Sequence, residues 1–179
     1  MPSSTFETAV LTTALYGIML IALNMFSVVS QWVFVDSMKV RLGEVANQLA
    51  YEIASIYSMC RQSRSDLSFF KPIEIPPAIS EEPYAVELRK IRDVWYVVVY
   101  LETNRAINAS SPIWEEPGVD VLIGPPEGMV SFTIYRTHGS YTINCINLLR
   151  SGTAKPVVWA SRSNGEIRVG LGYIEEIGG

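Results

Sequence analysis

The sequence predicts an α+β chain: a long N-terminal hydrophobic α-helix followed by a small antiparallel β-sandwich-like head domain. Three observations carry this expectation. No charged residue occurs from Thr8 to Val35. Apolar residues then recur at helical spacing as far as Tyr57, and after Ser68 the texture changes to short apolar runs cut by Pro, Gly and Asn. With 179 residues the chain has room for one globular domain and an appendage. The division expected is a helix over 1–65 and a β-rich head over 66–179.

The uncharged run of 28 residues exceeds the roughly 20 needed to cross a bilayer as a helix. A domain this small has little with which to shield so long a helix on every side. A cleaved secretory signal has an apolar region of only about 7–15 residues behind a basic stretch, whereas Met1 to Glu7 holds no Lys or Arg. The segment 8–35 therefore reads as a membrane span. Lys and Arg near the ends of a span set its orientation, and here they lie only on the far side, at Lys39 and Arg41. Taken literally, that places the C-terminal domain in the cytoplasm; a basic leader removed before residue 1 would reverse it. Both readings stand at this point.

Beyond Val35 the residues Met38, Leu42, Val45, Leu49, Ile53, Ile56 and Tyr57 mark one face of a helix, and Arg41, Glu44, Asn47, Gln48, Glu52 and Ser55 fill other positions. No proline occurs between Phe6 and Lys71 to break it. The simplest reading is one helix from Thr5 to Arg61, about 80 Å long, dry all round in its first half and amphipathic in its second.

Strands are expected at 70–75, 84–89, 94–101, 119–123, 130–136, 141–149, 157–160 and 167–174. Hairpins are expected between Arg89 and Val94, at His138 to Ser140, and at Asn164-Gly165. Alternation of Phe132 and Ile134 with Thr133 and Tyr135, and of Ile167, Val169 and Leu171 with Arg168 and Gly170, gives each strand one buried face. Residues 102–118 read as a long loop holding the sequon Asn108-Ala109-Ser110, a candidate glycosylation site on an exported chain.

Signatures of chemistry are missing. There is no glycine-rich phosphate loop, no HExxH and no CxxC. A net charge of -4 without a basic cluster argues against nucleic acid. One histidine, His138, and two cysteines cannot supply the four soft ligands of a zinc site, so no metal and no cofactor are expected. The acidic pairs Glu81-Glu82, Glu115-Glu116 and Glu175-Glu176 read as solvated loops. No enzyme is expected. Cys60 and Cys145 allow either one bridge, closing a loop of about 85 residues and worth about 4–5 kcal/mol by chain entropy, or two separately buried thiols.

The architecture resembles that of the type IV pilin superfamily, its archaeal branch of adhesion pilins and archaellins above all. Phe6-Glu7 ahead of an uncharged run is similar to the start of a mature pilin, although the acidic residue comes two positions later than in bacterial pilins. The stretch Leu42 to Tyr57, followed by Ile73-Glu74-Ile75-Pro76-Pro77-Ala78-Ile79 and Pro83-Tyr84-Ala85-Val86-Glu87-Leu88, looks like the helix of an archaeal pilin leading into proline-marked strands. Family members carry a basic leader ahead of the helix; its removal before residue 1 would account for the charge placement. The resemblance implies assembly: the dry helices leave the bilayer and pack together along a filament, with Tyr16, Met19, Phe26, Trp32 and Phe34 in the fibre core. It also implies a partner for the Glu7 carboxylate, and the α-amino group of Met1, of the same or a neighbouring chain, is the expected one. The expected function is a structural subunit of an extracellular filament for adhesion or motility, a homo-oligomer with a membrane-inserted precursor. The second expectation is a membrane-anchored binding module or minor pilin at the cell surface.

Overall fold

The computed structural model describes the backbone of residues 3–63, 65–113, 122–124, 131–136 and 139–176. Helix α1 runs unbroken from Ser3 to Gln62. Its 60 residues correspond to about 90 Å at 1.5 Å per residue. By its contacts the chain divides into two units, Met1–Ser37 and Met38–Gly179. The head thus begins inside the helix and not after it, because the apolar stripe from Met38 to Cys60 supplies core that the strands need.

Among the described residues ten strands follow: β1 (Leu67–Pro72), β2 (Tyr84–Ile91), β3 (Val94–Leu101), β4 (Asn108–Pro112), β5 (Leu122–Ile123), β6 (Ser131–Arg136), β7 (Gly139–Ile146), β8 (Leu148–Arg150), β9 (Pro156–Ser163) and β10 (Glu166–Glu176). They form two sheets. The larger has the order β1-β9-β10-β7-β6, with the short β5 parallel to β10 at Arg168 and Val169. The smaller has the order β4-β3-β2-β8. Every other pairing is antiparallel.

The main core joins three faces. Leu42, Leu49, Ile53 and Cys60 of α1 meet Val86, Val97, Val99 and Leu149 of the smaller sheet and Val158, Ala160, Val169 and Leu171 of the larger. Alternation along each strand sends the intervening residues to the far face of its sheet. On the larger sheet that far face has a core of its own, where Ile143, Cys145, Val157 and Trp159 pack with Phe70, Phe132, Ile134 and Ile174. The sheet curls around it, since Phe70 of β1 meets Tyr141 of β7 at 5.8 Å between ring centroids, and Phe132 of β6 meets Trp159 of β9 edge-on at 5.4 Å. Trp159 can lie across β10 because its neighbours there are glycines. A Cβ on Gly170 would stand 2.6 Å from the indole, and one on Gly172 would stand 2.6 Å from the carbonyl oxygen of Asn144. The indole N–H donates to the Leu171 carbonyl at 2.9 Å, which satisfies the one polar atom of a side chain only 1% exposed.

Polar side chains fasten the helix to the sheets. Lys71 Nζ lies 2.5 Å from Glu52 Oε2, and Gln48 donates to the Glu74 carbonyl at 3.2 Å. Arg162 projects from the inner side of β9 to donate to the carbonyls of Arg61 and Ser63, groups that the end of α1 leaves without helical partners. The Tyr84 hydroxyl donates to the Pro76 carbonyl at 2.6 Å, and burial pushes its pKa up to about 12.

Several sequence expectations change. Residues 102–118 are not a plain loop: Asn108–Pro112 forms edge strand β4, paired to β3 through Ala109↔Val99. The segment 141–149 is two strands, with β7 in the larger sheet and β8 in the smaller. The Arg89–Val94 hairpin extends to Ile91 and turns on Arg92 and Asp93, at φ of 49° and 66°. Asn164 and Gly165 make the tight turn expected of them, at φ of 53° and 85°. The expected turn residue His138 lies outside the described residues.

Candidate functional site

From Phe6 to Phe34 every residue except Gly17 is exposed, and most of these residues are apolar. This part of α1 is long and apolar enough to cross a membrane. The uncharged stretch 8–35 spans about 42 Å as a helix, against a hydrocarbon layer of about 30 Å. Three of its hydroxyl and amide side chains turn back on their own backbone. Thr12 Oγ1 donates to the Thr8 carbonyl at 2.7 Å, Thr13 Oγ1 to Ala9 at 2.8 Å, and Asn24 Nδ2 to Leu20 at 2.9 Å. Such i−4 bonds lower the cost of placing these groups in a dry environment.

At about 100° per residue, Tyr16, Met19, Phe26 and Phe34 fall within an arc of about 80° on one side of the helix. Phe26 and Phe34 border one shallow groove with Ser27, Ser30 and Gln31. Trp32 points to the opposite side and is 76% exposed. Its place near the end of the uncharged run suits the interfacial belt where tryptophans collect. Hydrophobicity picks out the large apolar side chains and not the seam Thr13, Gly17, Asn24, Ser27 and Gln31, spaced by 4, 7, 3 and 4 residues along a neighbouring stripe. The signal was there in the spacing of small and polar residues, a pattern that lets helices approach closely in an apolar medium. Glu7 is exposed on the helix, one turn beyond its first described residue. A dipole benefit concentrated in the first turn is correspondingly small there. Met1 lies outside the described residues.

The candidate bridge does not form. Cys60 and Cys145 are both free and buried. They lie in different cores: Cys60 faces the sheets from the last turn of α1, whereas Cys145 pairs with Gly172 and points to the far face of the larger sheet. A whole sheet stands between them. Burial pushes the Cys145 thiol up to about 11 from 9.0; burial also raises Cys60, partly offset by the nearby Arg162 guanidinium. Asn108 opens β4 and is exposed on the far face of the smaller sheet, with its amide donating to the carbonyls of Arg105 at 2.9 Å and Ala106 at 3.4 Å. Attachment of a sugar there has to release one of those bonds.

Among the described residues no three His, Cys, Asp or Glu side chains come together in a way that would hold a metal ion. No protein-family model, no curated protein and no solved structure matches the chain.

Proposed function

We propose that the chain is a structural subunit of an extracellular filament of the type IV pilus kind, serving adhesion or motility and carrying no catalysis of its own. The observation that supports this most is the exposed apolar surface of α1 from Phe6 to Phe34, continuous in one helix with a stripe from Met38 to Cys60 that is buried as core. A helix that is apolar on every side is satisfied by lipid or by other apolar helices. In the proposed filament both occur in turn: the precursor holds the segment in the bilayer, and copies of it pack together on assembly while the heads face outward. Tyr16, Met19, Phe26 and Phe34 are then buried between copies. Glu7, otherwise a carboxylate in an apolar bundle, is paired with the α-amino group at the start of its own or a neighbouring chain, because an unpaired buried charge costs several kcal/mol.

The test is immunogold negative-stain imaging of producing cells, with antibody raised against the head. Labelled fibres are expected, and Glu7→Gln is expected to reduce their number several-fold while the amount of chain in the membrane stays unchanged. Label confined to the cell envelope, with no fibres, would instead support the second reading, a membrane-anchored surface module that does not polymerise. Fibres of normal number and length in Glu7→Gln would remove the assembly role of Glu7 alone.

A further inference from the structure

The far face of the larger sheet carries a feature that a filament role does not use. At the β9–β10 hairpin end a depression of about 360 Å³ is lined by Phe132, Trp159, Ser161, Ser163, Asn164, Glu166 and Arg168. Its size falls at the lower end of the range of small-ligand sites. Register explains why these groups share one face. Ser161 pairs with Arg168, Ser163 with Glu166, and Trp159 with Gly170, so alternate residues of both strands point to the same side. Asn164 stands at the head of the turn, and Phe132 comes across from β6.

The chemistry of the lining narrows the ligand. The floor is aromatic but small: Trp159 is almost wholly covered, and what remains is a half-buried Phe132 ring. That is too little for a lipid chain and enough for one apolar face of a ring. The rim supplies both donors and acceptors. Arg168 donates, Glu166 accepts, and Ser163 and Asn164 do both. Ser161 Oγ is shared with Ser68 Oγ at 2.8 Å, while Ser163 and Asn164 have no side-chain partner among the described residues. Charge is balanced, since Arg168 Nη2 lies 3.6 Å from Glu166 Oε2, so the rim offers no surplus cation for a phosphate or carboxylate ligand. A single carboxylate cannot run the two-carboxylate chemistry of glycoside cleavage. An apolar patch ringed by balanced donors and acceptors is complementary to a neutral sugar, with its C–H face on one side and hydroxyls around the edge.

We propose that this depression is a binding site for a neutral carbohydrate, holding one sugar unit of an oligosaccharide over Phe132, with Arg168, Glu166, Ser163 and Asn164 bonded to its hydroxyls. The site binds and does not cleave. It is independent of whether the helix assembles.

Titration calorimetry on the full chain, held in a polyoxyethylene detergent without sugar headgroups, tests this with maltotriose, mannotriose, chitotriose and lactose as neutral probes and trigalacturonate as the anionic one. Saturable binding of at least one neutral probe is expected. It should weaken by about tenfold or more in Arg168→Ala, the loss that follows from removing a charged hydrogen bond. Asn164→Gly, which keeps the turn conformation, should weaken it as well, and Arg105→Ala in the β3–β4 loop should leave it unchanged. Should Arg168→Ala fail to fold, Asn164→Gly decides. The proposal is overturned if no neutral probe binds saturably, if only trigalacturonate does, or if neither site variant moves the affinity.

Discussion

Trp159 and Gly170 are two halves of one contact, because the indole occupies the space that any side chain at 170 would need. With a Cβ only 2.6 and 2.8 Å from two indole atoms, Gly170→Ala forces the ring or the strand to move. Such overpacking costs about 1–3 kcal/mol, and urea unfolding followed by tryptophan fluorescence should show the loss. Gly17→Ala meets nothing within 4 Å on the exposed helix and should leave head unfolding unchanged. Cys145 gives a second prediction at this scale. Its thiol is raised to about 11 in the fold, against 9.0 unfolded, so between these values the unfolded chain binds fewer protons and stability falls as pH rises. The sulfur contributes fully below pH 9.0, and about 2–3 kcal/mol is lost by pH 11. Cys145→Ala should remove the part of the decline that begins near pH 9, whereas Tyr84 begins to contribute only above 10. In the folded chain at neutral pH both thiols should resist alkylation, and in unfolded, unreduced chain both should label.

Arg162 ties the end of one element to the end of another: from the last residues of β9 it reaches the carbonyl of Arg61 in the last turn of α1 and that of Ser63 just past it. Arg162→Met keeps the length of the stem and removes the donors. The expected cost is about 1–3 kcal/mol from stranded carbonyls, together with faster amide exchange over the last turn of α1 than in the parent, read by hydrogen–deuterium exchange. The element scale also shows what could be read in advance. The helix was legible because its two textures, uncharged and then amphipathic, run for dozens of residues without a proline. Strands β3 and β9 were legible through their runs of valine, and β10 through the alternation of Ile167, Val169 and Leu171 with Arg168 and Gly170. Strand β4 was not, because Asn-Ala-Ser-Ser-Pro has no strand-forming bias and its pairing is imposed by β3. The break at Asn147 was hidden for a different reason: both halves read as strand, and only the tertiary fold assigns them to separate sheets. The proposed assembly surface is legible through its hydrophobicity, whereas the opposite placement of Trp32 requires the helical phase. The lining of the carbohydrate site was invisible, since Ser161, Arg168 and Phe132 meet only through register and the curl of the sheet.

At the scale of the molecule the boundary between helix and head is one of sequence only. Ten of the 23 buried residues of the main core lie on α1 between Met38 and Cys60. Seven of the ten are large side chains, and at roughly 1.5–3 kcal/mol for each removing them subtracts on the order of 10–20 kcal/mol, as much as a domain's whole stability. A chain beginning at Asp36 should therefore unfold cooperatively in urea, and one beginning at Asp66 should show no transition; a cooperative transition in the shorter chain would mean that the sheets stand without the helix. The same arrangement sets a waiting time during synthesis. Cys60 leaves the ribosome 111 residues before Leu171, the strand residue of β10 that shares its core. At about 5–20 residues per second that interval is about 6–22 s. During it Leu42, Leu49 and Ile53 can be covered by Val86, Val97 and Val99 of the smaller sheet but not by Val158, Ala160, Val169 and Leu171, so one side of the stripe stays open until β9 and β10 emerge.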